Sequence, residues 1–205
     1  MLELDLPPLV LRWLADQRAD RAGARADRAA AAALLEGRGF PAHAAVLDFE
    51  AAYGGLRVFD AAADPAVPSL VVGPYGCFSA GPYTGHERDL VPVIFGVDDT
   101  IYTLDAAGRG WVCAAMVEGV SRPSARDGRQ LLTQAILWRA LVAHPAGFDI
   151  VDGAHGASRA ATRGLPVIAD ATCDDDERWW GDAAQLVVEI PRGNGYPGPM
   201  TFATR

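Results

Sequence analysis

The sequence predicts an α+β fold in which N-terminal helices pack on a mainly antiparallel sheet, with a closing helix and a C-terminal α/β extension. Residues 8–53 carry apolar residues at helical spacing, and short β-branched runs separated by turn residues follow between residues 56 and 117. A run of helices followed by a run of strands is typical of an α+β domain. The chain has 205 residues, of which 50% are hydrophobic, so it can bury one sizeable core.

Two helices are predicted in the first 40 residues. Pro7-Pro8 opens the first helix, whose apolar stripe consists of Leu9, Val10, Trp13 and Leu14. The second helix covers the alanine-rich residues 26–35 and stops at Gly37 and Gly39, where the backbone can turn. The charged residues 16–28 are expected to form a solvated helix face.

A third helix is predicted to end at a glycine pair. Pro41 suits its first turn, and its apolar residues recur at i, i+3, i+4, i+7 and i+11: Ala42, Ala45, Val46, Phe49 and Tyr53. Asp48 and Glu50 are expected outside this core-facing stripe. Gly54-Gly55 allows a close reversal into the next strand, and one of the two glycines is expected to have a positive φ.

Strands are predicted in the middle of the chain, where β-branched and aromatic runs occupy residues 56–59, 69–73, 91–97, 101–104 and 111–117. Pro92 suggests that the third of these strands starts there or lies at a sheet edge. The turn-forming residues 105–110 join the last two strands into a β-hairpin. The Gly/Pro/Tyr-rich residues 74–89 form a long loop that is expected to be functional or mobile.

A closing helix and a C-terminal extension complete the predicted fold. Ser124 or Asp127 can cap the helix, whose apolar positions are Leu131, Leu132, Ala135, Ile136 and Leu141. After Pro145 the pattern weakens, and short strands are expected at residues 148–151, 166–169 and 185–190.

The composition excludes several classes of function. All 18 basic residues are arginine, so chemistry that needs a P-loop lysine or a Schiff-base lysine is excluded. The three widely spaced cysteines, Cys77, Cys113 and Cys173, favour free buried thiols over a disulfide framework or a metal site. The four histidines show no ligand spacing, so neither a metal nor a cofactor is expected.

The chain is expected to be cytoplasmic. Glu3 and Asp5 stand where a secretory signal would carry positive charge. No stretch approaches the ~20 consecutive apolar residues that a membrane-spanning helix needs.

Negative charge is concentrated in the middle of the chain. The formal net charge is −8, and residues 41–118 account for −7 of it, with three arginines against ten acidic residues. Such a surface repels nucleic acid and anionic membranes and steers a basic partner toward itself.

The order of these motifs resembles the SUKH superfamily of bacterial toxin-immunity proteins, which is related to cell-wall-assembly regulators. The resemblance covers roughly residues 30–143, and the matching residues are Gly39-Phe40-Pro41, Phe49, Tyr53-Gly54-Gly55-Leu56, Phe95-Gly96-Val97-Asp98 and residues 101–112 around Asp105 and Gly108. It implies that residues 1–145 are a SUKH-like helix–sheet immunity module in which Phe40, Pro41, Phe49, Tyr53, Gly54, Gly55 and Gly96 are structural. Residues 146–205 are expected to be an extension packed on the same core.

The resemblance also implies a function: an immunity protein that is not an enzyme and neutralises a cognate polymorphic toxin by occluding its active site. A nuclease, or another toxin acting on nucleic acid, would present a basic cleft to which acidic loops are complementary. Aromatic anchors with an acidic rim suit such an interface. The candidate toxin-binding residues are Asp60, Tyr83, Glu87, Asp89, Asp98, Asp99, Tyr102, Asp105 and Trp111.

Two other functions stay open at this point. Asp152, His155 and Ser158 place an acid, an imidazole and a hydroxyl within seven residues and could serve a small hydrolase, although a Gly-rich surface turn is the favoured interpretation. Alternatively, the sheet module could bind a host partner as a regulatory or scaffold protein.

Two further clusters are interpreted as structural. The acidic residues 174–177 fit no calcium loop, and they are expected to form a solvated turn beside two packing tryptophans, Trp179 and Trp180. Cys77 and His86 could form a thiol–base pair, but nothing in the sequence marks a third group to orient them.

Overall fold

The computed structural model describes residues 4–21, 27–60, 67–73, 89–97, 100–114, 121–173, 176–190 and 199–205. These residues form five helices: α1 (Pro8–Asp16), α2 (Arg28–Gly37), α3 (Ala44–Tyr53), α4 (Gly128–Val142) and α5 (Gly156–Thr162). They also form eleven strands: β1 (Arg18–Arg21), β2 (Leu56–Phe59), β3 (Leu70–Val72), β4 (Val91–Gly96), β5 (Thr100–Leu104), β6 (Gly110–Ala114), β7 (Ser121–Ala125), β8 (Phe148–Asp152), β9 (Arg178–Gly181), β10 (Leu186–Ile190) and β11 (Met200–Thr204). The predicted α+β class is therefore confirmed.

Two antiparallel sheets organise the chain. The larger sheet is a seven-stranded meander in which β1 to β7 lie in chain order. Its predicted hairpin is present, with β5 and β6 paired from Thr100–Ala114 to Leu104–Gly110. The smaller sheet has the order β8–β11–β10–β9.

A single large apolar cluster joins the two sheets and the helices. It contains residues of α1 to α4, of the larger sheet and of β9 to β11. Helix α4 occupies its centre, because eleven of its 15 residues are buried and it contacts strands of both sheets. The predicted cap is formed by Asp127, whose carboxylate accepts a hydrogen bond from the Gln130 amide at 2.8 Å. Among the described helices, none is long and apolar enough to cross a membrane.

Strand β1 lies where the sequence predicts a solvated helix face, so that prediction is wrong for residues 18–21. Arg18 pairs with Phe59, and Arg21 pairs with Leu56, along the edge of β2. The Arg57 guanidinium also donates to both carboxylate oxygens of Asp20, at 2.7 and 3.0 Å. Helix propensity is a weak preference, and pairing with a neighbouring strand overrides it here.

Several other boundaries differ from the sequence predictions. Pro41 precedes α3 instead of occupying its first turn, since the helix begins at Ala44. Strand β4 starts at Val91, as Pro92 suggested, but it is an internal strand with a register shift after Pro92. Strands β7, β9 and β11 were not predicted, and residues 166–169 contribute only one bridge, between Val167 and Trp180. Strand β7 contains a proline, which an outermost strand of a sheet tolerates.

Glu50 is buried, although the helical pattern placed it outside the apolar stripe of α3. The residue is 5% exposed, and its Oε2 atom has no hydrogen-bond partner among the described residues. Its carboxylate lies against Gly54 and Gly73, where a β-carbon would collide with it. Burial raises the pKa of Glu50 to about 7, and the Arg21 guanidinium opposes this increase. These two glycines therefore leave room for an interior carboxyl group.

Gly55 should be required for stability because its backbone is left-handed, with φ of 77°. Its amide donates to the Val72 carbonyl at 3.0 Å, which ties the reversal after α3 to β3. We expect Gly55→Val to lower the free energy of unfolding by about 1–3 kcal/mol, because a β-branched residue is strained at positive φ. Gly37→Val is the matched control, since a β-carbon at Gly37 meets nothing within 4 Å. Equal urea midpoints for the two variants would contradict this prediction.

Candidate binding surface

The seven-stranded sheet has two different faces. Residues such as Leu56, Val58 and Tyr102 belong to the main core with the helices. The opposite side, here called the outer face, carries the side chains of Arg18, Asp20, Arg57, Phe59, Val71, Phe95, Ile101, Thr103, Trp111 and Cys113, as the strand registers require. Its apolar cluster of Leu90, Ile101 and Cys113, with Phe95 and Trp111 packed on it, includes no helix residue among the described part of the chain.

Trp111 is held in a defined orientation on the outer face by the β5–β6 turn. The Asp105 carboxylate accepts hydrogen bonds from the amides of Ala107 and Arg109, both at 2.9 Å. Its second oxygen accepts a hydrogen bond from the Trp111 indole N–H at 3.1 Å. One aspartate therefore shapes the turn and positions a half-buried aromatic ring.

Arginine side chains cover the far corner of the outer face, at β1 and β2. The Arg18 guanidinium lies 4.4 Å from the centroid of the Phe59 ring, and that of Arg57 lies 5.5 Å from it. Asp20 neutralises part of this charge through its pair with Arg57. The face thus carries arginine at one corner, whereas Asp105 and the exposed Asp89 lie at the opposite end of the strands.

The predicted toxin-binding residues that the structure describes, Asp60, Asp89, Tyr102, Asp105 and Trp111, do not form one surface. Asp89 and Asp105 lie at the same end of the sheet, since β4 begins where β5 ends. Tyr83, Glu87, Asp98 and Asp99 lie outside the described residues. Tyr102 is only 5% exposed and belongs to the core side of the sheet.

Asp60 was predicted to belong to an acidic rim at the surface, and this prediction is wrong because Asp60 lies in the protein interior. It is 5% exposed, forms an ion pair with Arg139 of α4 and accepts a hydrogen bond from the Ser69 hydroxyl at 2.7 Å. Glu50 is also buried. The ten acidic residues of the middle segment are therefore a poor measure of surface charge. The structure places three of them at the surface: Asp48, Asp89 and Asp105. Asp48 is paired with Arg28.

The motif residues behind the family resemblance are structural in this fold. The rings of Phe49 and Tyr53 lie 5.2 Å apart in the core, and the Tyr53 hydroxyl donates to the Asp5 carbonyl at 3.2 Å. Phe40 packs against the same core. Gly54 and Gly96 are buried beside α3 and at the end of β4, respectively.

Asp152, His155 and Ser158 lie near one another in sequence but do not form a hydrogen-bonded triad. Asp152 ends β8, and all three residues are exposed, with no hydrogen bond joining their side chains. The segment from Gly156 is helix α5, not a Gly-rich turn. Its start is fixed by other groups: the His155 amide donates to Thr201 Oγ1 at 3.0 Å, and the Gly156 amide donates to Glu189 Oε2 at 2.8 Å.

Glu177 was predicted to lie in a solvated acidic turn, and the structure shows that this is wrong. Its carboxylate is buried, pairs with Arg122 of β7 and accepts hydrogen bonds from Ser124 Oγ at 3.1 Å and Trp179 Nε1 at 2.9 Å. The packing role of Trp179 and Trp180 is confirmed, since both are buried. The one sequence signal for burial of Glu177 is its position two residues before Trp179, because alternate residues of a strand lie on the same face.

The described part of the chain includes two of the three cysteines and no cluster of side chains that could bind a metal. Cys113 is a buried thiol and Cys173 is a partly buried thiol, and neither is in a disulfide; Cys77 and His86 lie outside the described residues. No group of three or more metal-ligating side chains occurs within the described ranges.

Comparison with known proteins assigns no family to this chain. No protein-family model, curated protein or solved structure matches it.

Proposed function

We propose that the chain is a cytoplasmic immunity protein that binds a cognate bacterial toxin and occludes its active site without catalysis of its own. The observation that carries this proposal is the outer face, where Val71, Phe95 and Trp111 are half-buried side chains on the seven-stranded sheet. Pre-oriented aromatic anchors bind partners with little loss of side-chain entropy. The SUKH-like order of motifs in the sequence also supports it.

The charge pattern suggests how a toxin would be oriented on this face. Asp89 and Asp105 lie at one end of the strands, so a basic cleft, such as that of a nuclease, is complementary to that end. The arginine corner at Arg18 and Arg57 would meet an acidic or neutral part of the toxin. Trp111, beside Asp105, would then fill an apolar pocket near the occluded cleft.

A charged substitution in the middle of the outer face tests the proposal. We expect Val71→Arg to weaken binding to the toxin encoded beside this gene at least about tenfold, because it buries an unpaired guanidinium in the interface. Co-purification and protection of toxin-producing cells measure the effect. Ala161→Arg, on the exposed side of α5, is the matched control and should bind as wild type does.

Thermal unfolding of both variants separates lost binding from lost structure. If Val71→Arg remains folded and protects cells as well as Ala161→Arg does, the outer face is not the binding surface. If wild-type protein neither binds nor protects against the neighbouring toxin, the proposed function itself is wrong.

A further inference from the structure

A cavity of about 160 Å³ lies between the two sheets, in the layer that also contains α4. Its apolar wall includes Trp138 of α4, Trp179 of β9 and Phe202 of β11. The Trp138 and Phe202 rings meet edge to face, with their centroids 5.0 Å apart. A cavity of roughly 150 Å³ in another protein holds benzene, so the space here suits one six-membered ring with a small substituent.

The cavity has one polar corner, formed by Arg122 and Glu177. The three donors to the Glu177 carboxylate, from Arg122, Ser124 and Trp179, leave that carboxylate well satisfied. The Arg122 guanidinium is less well satisfied: its Nε atom is buried and has no hydrogen-bond partner among the described residues, and its Nη1 atom donates to the Pro123 carbonyl at 3.5 Å. A buried N–H without a partner carries a desolvation cost that an acceptor atom in the cavity would remove.

The charges of Arg122 and Glu177 determine whether a neutral or a charged molecule would bind at this corner. The positive charge of Arg122 is already compensated by Glu177, and both side chains are largely buried, at 15% and 5% exposure. An added carboxylate would leave an uncompensated negative charge in a site of low polarity, which is unfavourable. A neutral acceptor, such as a ketone or amide oxygen, accepts the remaining hydrogen bond without that cost.

We propose that the cavity between the two sheets is a binding site for a small, neutral aromatic molecule whose carbonyl oxygen accepts a hydrogen bond from Arg122 Nε. The ring lies against Trp138, Trp179 and Phe202. Such a molecule bridges the larger sheet, through Arg122, and the C-terminal sheet, through Trp179 and Phe202. This site is independent of the outer face and of the proposed function.

Three probes of similar size test the site: acetophenone, isopropylbenzene and benzoate. We expect acetophenone to bind with a dissociation constant on the order of 0.1–1 mM. Isopropylbenzene lacks the acceptor and should bind at least about tenfold more weakly, and benzoate should also bind more weakly than acetophenone. In NMR titrations the indole N–H resonances of Trp138 and Trp179 should shift, whereas that of Trp13 should not.

Two variants locate the binding. Thr100→Phe fills the cavity from its half-buried rim and should abolish the shifts, whereas Thr162→Phe, on exposed α5, is the matched control and should leave them unchanged. The double variant Arg122→Met, Glu177→Gln should make acetophenone and isopropylbenzene bind equally. The proposal is overturned if acetophenone does not bind, if benzoate binds more tightly, or if Thr100→Phe leaves binding unchanged.

Discussion

Arg139→Met should lower the free energy of unfolding by about 3–5 kcal/mol, because it leaves the Asp60 carboxylate buried without its counter-charge. The pair joins the last turn of α4 to the residue that follows β2, and its two side chains are only 6% and 5% exposed. Ser69 donates to the other Asp60 oxygen and cannot replace the lost charge. Urea unfolding, followed by tryptophan fluorescence, measures the change.

Two comparisons decide whether burial causes this effect. Arg28→Met removes the exposed pair with Asp48, whose side chains are 52% and 69% exposed, and should cost less than about 1 kcal/mol. Asp60→Asn combined with Arg139→Met should recover much of the loss, since no buried charge then remains. Equal losses for Arg139→Met and Arg28→Met would mean that the interior pair has no special role.

Glu50→Gln should stabilise the protein at pH 8 and have little effect near pH 5. Burial raises the pKa of Glu50 to about 7 in the folded state, from 4.5 in the unfolded chain. Between these values the folded protein holds a proton that the unfolded chain has released, so stability falls as the pH rises from about 4.5 to about 7. Glutamine stays neutral at every pH and removes this loss.

The gain at pH 8 should be on the order of 3 kcal/mol, as follows from a shift of this size. Unfolding of wild type and Glu50→Gln is measured by urea titration at pH 5, 6.5 and 8. Asp48→Asn, on the exposed side of the same helix, is the control and should show no comparable pH-dependent gain. A difference between wild type and Glu50→Gln that is the same at all three pH values would contradict burial of a titrating carboxyl group.

The proposed binding surface could be inferred only in part from the sequence. Trp111 and Asp105 were predicted binding residues, as an aromatic anchor and a member of the acidic rim, and the structure joins them by a hydrogen bond of 3.1 Å. Val71 and Phe95 did not stand out, since membership of the outer face depends on strand register. Asp60 was misjudged for a related reason: a residue at the end of a strand carries no local sign of a partner in a distant helix.

Local signals determined the elements that the sequence predicted correctly. The presence of helix α3, the left-handed glycine after it and the β5–β6 hairpin depend on neighbouring residues, whose conformational preferences do not need the rest of the fold. The strands of the larger sheet after β2 followed from β-branched runs for the same reason, apart from β7.

Only the tertiary structure determined which charged side chains are interior and that strands β1 and β11 form. Arg139 and Asp60 are 79 positions apart, and Arg122 and Glu177 are 55 positions apart, so no local pattern relates either pair. Strand β1 exists because β2 offers it an edge, and β11 exists because it lies between β8 and β10. A charged side chain is stable in the core only when a partner of opposite charge lies beside it. A segment of low strand propensity forms a strand only when a neighbouring strand pairs with it. Both partners are in place only in the folded chain.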